Sequence, residues 1–239
     1  TGGVKTHRDN FIIDSKKKDL ENRLELFFNN DIKNEEVISK LNLKEKKDWI
    51  NKSRKLELIN DFFKLIDYRP FDTRHIYFNS DLIDRPRTPL MNNFFLSNVG
   101  LIFSRQATEV NWTAIQVSKN ITDSRYHFSY KGNSVQAPLY LYPEVNAQQT
   151  LNHETEEINT PQSRTPNLNR DIVHQIADGL GLEFLSDHEL LKQVQHDKYF
   201  TPLDLLDYIY AVSHSPNYRE TFKEFLRIVF PRVPYPKNR

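Results

Sequence analysis

Five arginines stand close together in the middle of the sequence, Arg69, Arg74, Arg85, Arg87 and Arg105, interleaved with Tyr68, Phe71, Tyr77 and Phe103. A guanidinium is a planar fork that can hold a phosphate, or the O6/N7 edge of a guanine, through two parallel hydrogen bonds, and an aromatic ring beside it can shape a groove or stack in one. Gln106 and Asn133, with Asn111 and Gln136, add amides on or near expected turns, and an amide pairs bidentately with adenine N6/N7. A blander reading stands beside this one. Arg69 and Arg74 would pair with Asp67 and Asp72, and Arg85 with Asp84, as ion pairs that serve the fold. For any single arginine that reading is the stronger, but the cluster weighs more than its members.

Other chemistries find no footing. The chain has no cysteine, which removes disulfides, thiolate zinc sites and a cysteine nucleophile. None of its six glycines builds a GxGxxG or a GxxxxGK[ST] phosphate cradle. His153-Glu154 begins like a zinc-binding HExxH, but position 157 is Glu157, and neither His188 with His196 nor His174 with Asp178 finds a third ligand. His214, between two serines, reads as a packed or capping ring rather than a general base. Glu45-Lys46-Lys47 is only a fragment of a nuclease pattern and lies in a helical stretch. There is no Asn-Pro or Asp-Pro step to hold a flipped base; Asp84-Arg85-Pro86 and Asn159-Thr160-Pro161 do not match. The sequence therefore predicts no catalytic residue, no metal and no cofactor in this chain. A formal net charge of +1 means that any nucleic-acid contact needs a local basic stripe rather than a general field. No stretch approaches the roughly 20 apolar residues of a membrane span. The single methionine is Met91 and the chain opens Thr1-Gly2-Gly3, so it reads as a piece of a longer, cytoplasmic polypeptide.

The elements that must position these residues follow from periodicity. Leu20, Leu24, Phe27 and Phe28 recur at helical spacing, and Trp49, Leu56, Ile59, Phe63 and Ile66 predict one stripe of a second, long helix. The lysines around it (Lys44, Lys46, Lys47, Lys52, Lys55) read as a solvated face. From Tyr68 to about Tyr142 the period shortens: Leu101-Ile102-Phe103, Trp112 to Val117 and Leu139 to Tyr142 read as strands, and Lys131-Gly132-Asn133 as a turn. The polar stretch Glu144 to Asn169 reads as a surface excursion. Helices return with Asn169 as a cap and Gly179 as a stop, then with Thr201-Pro202-Leu203-Asp204, then with Ser215-Pro216 and an end at Pro231.

Spaced motifs then show a likeness. Tyr68-Arg69-Pro70-Phe71-Asp72-Thr73-Arg74, Arg85-Pro86-Arg87 with Met91, Gly100 to Gln106 and Pro138-Leu139-Tyr140 resemble the C-terminal specificity region of type ISP restriction-modification enzymes and related adenine-specific methyltransferases. Thr201 to Asp204, Tyr208 to Val212, His214 to Arg219 and Phe230-Pro231-Arg232 are similar to that family's C-terminus, and Gly3 to Asp9 to the segment after its methyltransferase domain. The resemblance implies a non-catalytic target-recognition module with two partners, double-stranded DNA and the upstream methyltransferase domain. S-adenosylmethionine and ATP would be used upstream. The fold class expected is α+β: a helical lead-in over residues 1–67, a strand-rich recognition core over 68–160 and a C-terminal helical subdomain over 161–239. The DNA-facing set is Arg69, Arg74, Arg85, Arg87, Arg105, Gln106 and Asn133. The rival reading is a scaffold whose arginines dock the methyltransferase domain and never touch DNA.

Overall fold

A computed structural model describes residues 2–104, 115–127, 133–142, 164–186 and 198–238. In chain order the described elements are α1 (Asp9–Ile12), β1 (Ile13–Asp14), α2 (Lys17–Phe28), α3 (Asn34–Leu41), α4 (Lys47–Ser53), β2 (Phe63–Arg69), β3 (Asp72–Tyr77), α5 (Thr88–Met91), β4 (Gly100–Ser104) and β5 (Ile115–Ser118). They continue as β6 (Ile121–Thr122), β7 (Ser134–Pro138), β8 (Tyr140–Leu141), β9 (Thr165–Pro166), α6 (Arg170–Leu180), β10 (Glu183–Phe184), β11 (Tyr199–Phe200), α7 (Pro202–His214) and α8 (Pro216–Leu226). This is an α+β fold. The chain forms two compact units. One joins Gly3–Thr88 to Asn120–Tyr126, and the other joins Thr1–Gly2 and Pro89–Lys119 to His127–Arg239.

The first unit is a sheet of order β1-β3-β2-β6 with helices. β2 and β3 form an antiparallel hairpin from Phe63 opposite Tyr77 to Arg69 opposite Asp72, with a register shift between Asp67 and Arg69, and β6 runs parallel to β2. Helix α2 forms as its periodicity predicts and buries Leu20, Leu24 and Phe27 completely. Phe27 meets Phe11 at 4.7 Å and Trp49 at 6.2 Å between ring centroids, so aromatic packing fastens α2 to α1 and α4.

The long second helix expected through Ile66 is not there. Helix α4 stops at Ser53, and Phe63 onward is strand. Phe63-Lys64-Leu65-Ile66 satisfies both helical and alternating spacing. The hairpin turn at Pro70 settles it, because it folds β3 back along β2 in a ladder from Phe63–Tyr77 to Arg69–Asp72 that a helix over the same residues could not make. Between helix and strand, the Ile59 N–H donates to the buried Tyr77 hydroxyl at 3.0 Å, and that hydroxyl donates to the Glu57 carbonyl at 3.3 Å.

The second unit carries the antiparallel sheet β5-β4-β7. Helix α8 closes one part of it: Tyr218 and Leu226 pack with Ile115, against Leu101 and Phe103. A neighbouring cluster joins Leu139, Tyr140 and Leu206 of α7, and a third joins Val173 and Ile176 of α6 to Phe200 and Leu205. The expected caps hold each helix start. The Asn169 side chain accepts from Ile172 N–H, Ser215 from Tyr218 N–H, and Thr201 forms a reciprocal capping box with Asp204. Two helix ends differ from expectation. Helix α6 runs past Gly179 and is closed by Gly181, whose φ of +63° supplies the left-handed cap that a helix end favours. Helix α8 ends at Leu226, ahead of Pro231.

Candidate nucleic-acid interface

In the first unit, segments distant in sequence run side by side. Beyond β2 lies β6, and the Asp123 N–H after it donates to the Asp67 carbonyl at 3.1 Å. Val4 comes next, held between the Thr122 carbonyl (2.7 Å) and the Ser124 N–H (2.8 Å). Lys5 then exchanges both backbone bonds with Arg85, at 3.1 and 2.9 Å. Gly3 is what allows so close an approach, because a Cβ there would stand 2.6 Å from the Asp123 carbonyl oxygen. The result is one backbone ribbon, β3-β2-β6-(Val4-Lys5)-Arg85. Arg74, Arg69, Arg125, Lys5, Arg85 and Arg87 all fall on it or within two residues of it.

Two of these arginines are held rigidly. The guanidiniums of Arg69 and Arg74 lie 4.0 and 4.1 Å from the Tyr68 ring centroid. The Tyr68 hydroxyl donates to Asp9 Oδ2 at 2.8 Å, and burial together with that carboxylate raises its pKa. Arg74 donates through Nε and Nη2 to Asp72, at 3.0 and 2.7 Å; these bonds lower the Asp72 pKa and raise that of Arg74. Arg69 Nη1 donates to the Tyr68 carbonyl and, at 2.7 Å, to Asp123 Oδ1. Asp123 is 5% exposed, and burial pushes its carboxyl up despite Arg69. The ion-pair reading thus holds for Arg74 and for Arg85, which lies 3.4 Å from Asp84, whereas Arg69 takes Asp123 in place of Asp67.

Pairing orients these forks without exhausting them. A guanidinium has five N–H donors, and the bonds above use only Nη1 of Arg69 and only Nε and Nη2 of Arg74. Arg87 and Arg125 are exposed and Lys5 is half-buried, and none of the three has a carboxylate partner among the described residues.

The other expected residues fall elsewhere. Arg105, Gln106 and Asn111 lie outside the described residues, as does most of the polar stretch from Glu144. Asn133 is exposed at the head of β7, in the second unit. Gln136 does not reach the surface: it sits within β7 at 1% exposure. Nor do Tyr77 and Phe103 line a groove. Tyr77 is completely buried, and Phe103 packs on Phe230 at 5.3 Å. His214 is a packed ring, 4.3 Å from Tyr210, with Arg219 Nη2 at 2.8 Å from its Nδ1; burial and that cation lower its pKa. Lys5 and Arg125 were missed, because only the pairing around β6 brings them to the ribbon.

An α+β module with a ribbon of arginines on one unit is the class that fold and site define. The chain belongs to the type ISP C-terminal specificity domain family, whose model matches residues 1–239. No curated protein matches it. Among solved structures it is similar to the ATP-dependent type ISP restriction-modification enzyme LlaBIII bound to DNA (19% identity, TM-score 0.66) and to DrdV in a DNA complex (18%, 0.66), covering 98% of this chain in each case. A nuclease-deletion mutant of the type ISP enzyme LlaGI, in complex with a DNA substrate mimic, also matches over 98% of this chain (17%, 0.57). The chain spans only 14%, 21% and 19% of those three proteins respectively. Among the described residues no helix is long and apolar enough to cross a membrane.

Proposed function

We propose that this chain recognises a DNA target for a restriction-modification adenine methyltransferase, gripping duplex DNA beside an upstream methyltransferase domain. The observation that carries the reading is the ribbon: cations from four separate stretches of sequence converge on adjacent strands, three of them without a carboxylate partner among the described residues. A protein of net charge +1 that gathers arginines in this way provides the local field that phosphate contact needs. Membership of a specificity-domain family and the DNA in the three solved complexes support the same reading. Arg69, Arg74, Arg85, Arg87 and Arg105 form the set that meets the backbone and fixes the register, with Gln106 and Asn133 as the readers of base edges. The chemistry, with S-adenosylmethionine and ATP, takes place in upstream domains.

Arg87 is the place to test it. Each phosphate contact releases counterions, so affinity falls linearly with salt on logarithmic axes, and Arg87→Ala should flatten that slope by about one unit without changing sequence preference. The second reading, a scaffold that docks the methyltransferase domain, draws on the pairing of Arg69, Arg74 and Arg85 with carboxylates. Slopes unchanged by single alanine substitutions at Arg69, Arg74, Arg85, Arg87 and Arg105 alike would favour that reading instead.

A further inference from the structure

The tip of the β2–β3 hairpin holds a side chain that the fold does not use. Arg69 pairs with Asp72 across the ladder, so the loop is only Pro70 and Phe71. Proline fixes the first loop residue near φ −65°, and Phe71 follows at φ +63°, the combination that a type II turn makes and normally fills with glycine or asparagine. A bulky residue in that region is strained. Phe71 is also 98% exposed, so no packing offsets the strain. Glycine would relieve it and would remove an apolar ring from water.

Of the other three described non-glycine residues with positive φ, Asn42 is the left-handed cap of α3, and the remaining two belong to the ribbon's far edge. His7 and Arg87 each stand two residues from the Lys5–Arg85 bridge. The neighbours of Phe71 are charged: Asp72 follows it, and Arg69 and Arg74 flank Tyr68 in the same hairpin. Interfaces between proteins centre on contiguous apolar area depleted in charge. One rigid aromatic ring set among guanidiniums instead fits a duplex, whose base stack accepts the ring and whose phosphates accept the arginines.

We propose that Phe71 is a wedge that inserts between stacked bases of duplex DNA, with Arg69 and Arg74 holding phosphates beside the opened step. This rests on the DNA-recognition reading above. The short proline-braced loop makes the ring a stiff probe, so little ordering is left to be done on binding. Strain retained in the free protein is then the structural cost of presenting the ring outward.

The test compares a short intact duplex with the same duplex carrying one central abasic site, where the unstacking that a wedge requires is already done. At low salt the chain should bind the abasic duplex about tenfold more tightly. Phe71→Ala should abolish that preference while keeping affinity for the intact duplex within about threefold, since the phosphate contacts remain. Phe71→Gly should lose the preference too, with a higher melting temperature that shows the fold intact. A preference that survives in Phe71→Ala, or its absence in the unsubstituted chain, overturns the wedge and returns the ring to a protein contact. Equal loss of binding to both duplexes in both variants overturns it as well. Failure of the unsubstituted chain to bind either duplex sinks the DNA reading itself, an outcome distinct from the others.

Discussion

What an arginine does depends on what its N–H groups already hold. Arg54 is 5% exposed and has no carboxylate partner among the described residues; its Nε donates to the Phe27 carbonyl and Nη2 to the Ile32 carbonyl, both at 2.8 Å, with Asn29 and Asn34 taking further bonds. It staples the turn after α2: four of its five N–H groups are taken, and its burial keeps the fifth from a ligand. Arg87, with no such bonds among the described residues, has everything left. Nothing in the sequence around the two separates them, because the difference is made by carbonyls tens of residues away. A buried histidine carries the pH prediction. Burial lowers the His127 pKa from 6.5 to about 4, so the fold holds the neutral ring. Its contribution is complete above pH 6.5 and is lost as pH falls towards 4, by about 3 kcal/mol over that window. Asp123, raised by burial, works in the opposite sense as it takes up a proton. Urea unfolding across pH 7 to 4 on the unsubstituted chain and on His127→Gln isolates the histidine. The variant should lose less stability on acidification, and equal losses would place the His127 pKa near its ordinary value.

Elements were more legible than contacts, for a local reason. A cap is decided within four residues, so Asn169, Thr201 and Ser215 could be read directly, and all three cap as expected. Strand against helix at Phe63 is decided by a partner strand, which a local pattern does not contain. Gln136 illustrates the same limit, since an amide near a turn reads as exposed until β4 pairs across it. The capping box makes a measurable claim. Thr201→Ala removes the acceptor for the Asp204 N–H and leaves the Asp204 carboxylate with only the Thr201 N–H, so it should cost about 1 kcal/mol in denaturant unfolding. Thr201→Ser should cost much less, because its hydroxyl can make the same bonds. Equal losses in the two variants would assign the effect to packing of the 2% exposed Thr201 methyl instead.

Over the whole molecule, spaced motifs identified the family, and net charge hid the site. The acids that bring the total to +1 include Asp72, Asp84 and Asp123, which hold arginines of the ribbon in place. Target choice is expected to lie elsewhere, over residues 105–160. Exchanging that segment, in the full polypeptide, with that of a family member of different target should move the methylated site; a folded, active chimera that keeps its original target would place the readers outside it. The ribbon itself is discontinuous, built from Gly3–Thr88 and completed by Asn120–Tyr126. Synthesis runs from the N-terminus, so Val4 and Asp67 wait with unsatisfied edges until the ribosome has released the return segment. Long-range pairing of this kind closes slowly, and a nascent chain stalled before residue 120 would expose an open β-edge lined with arginines in a cell full of RNA.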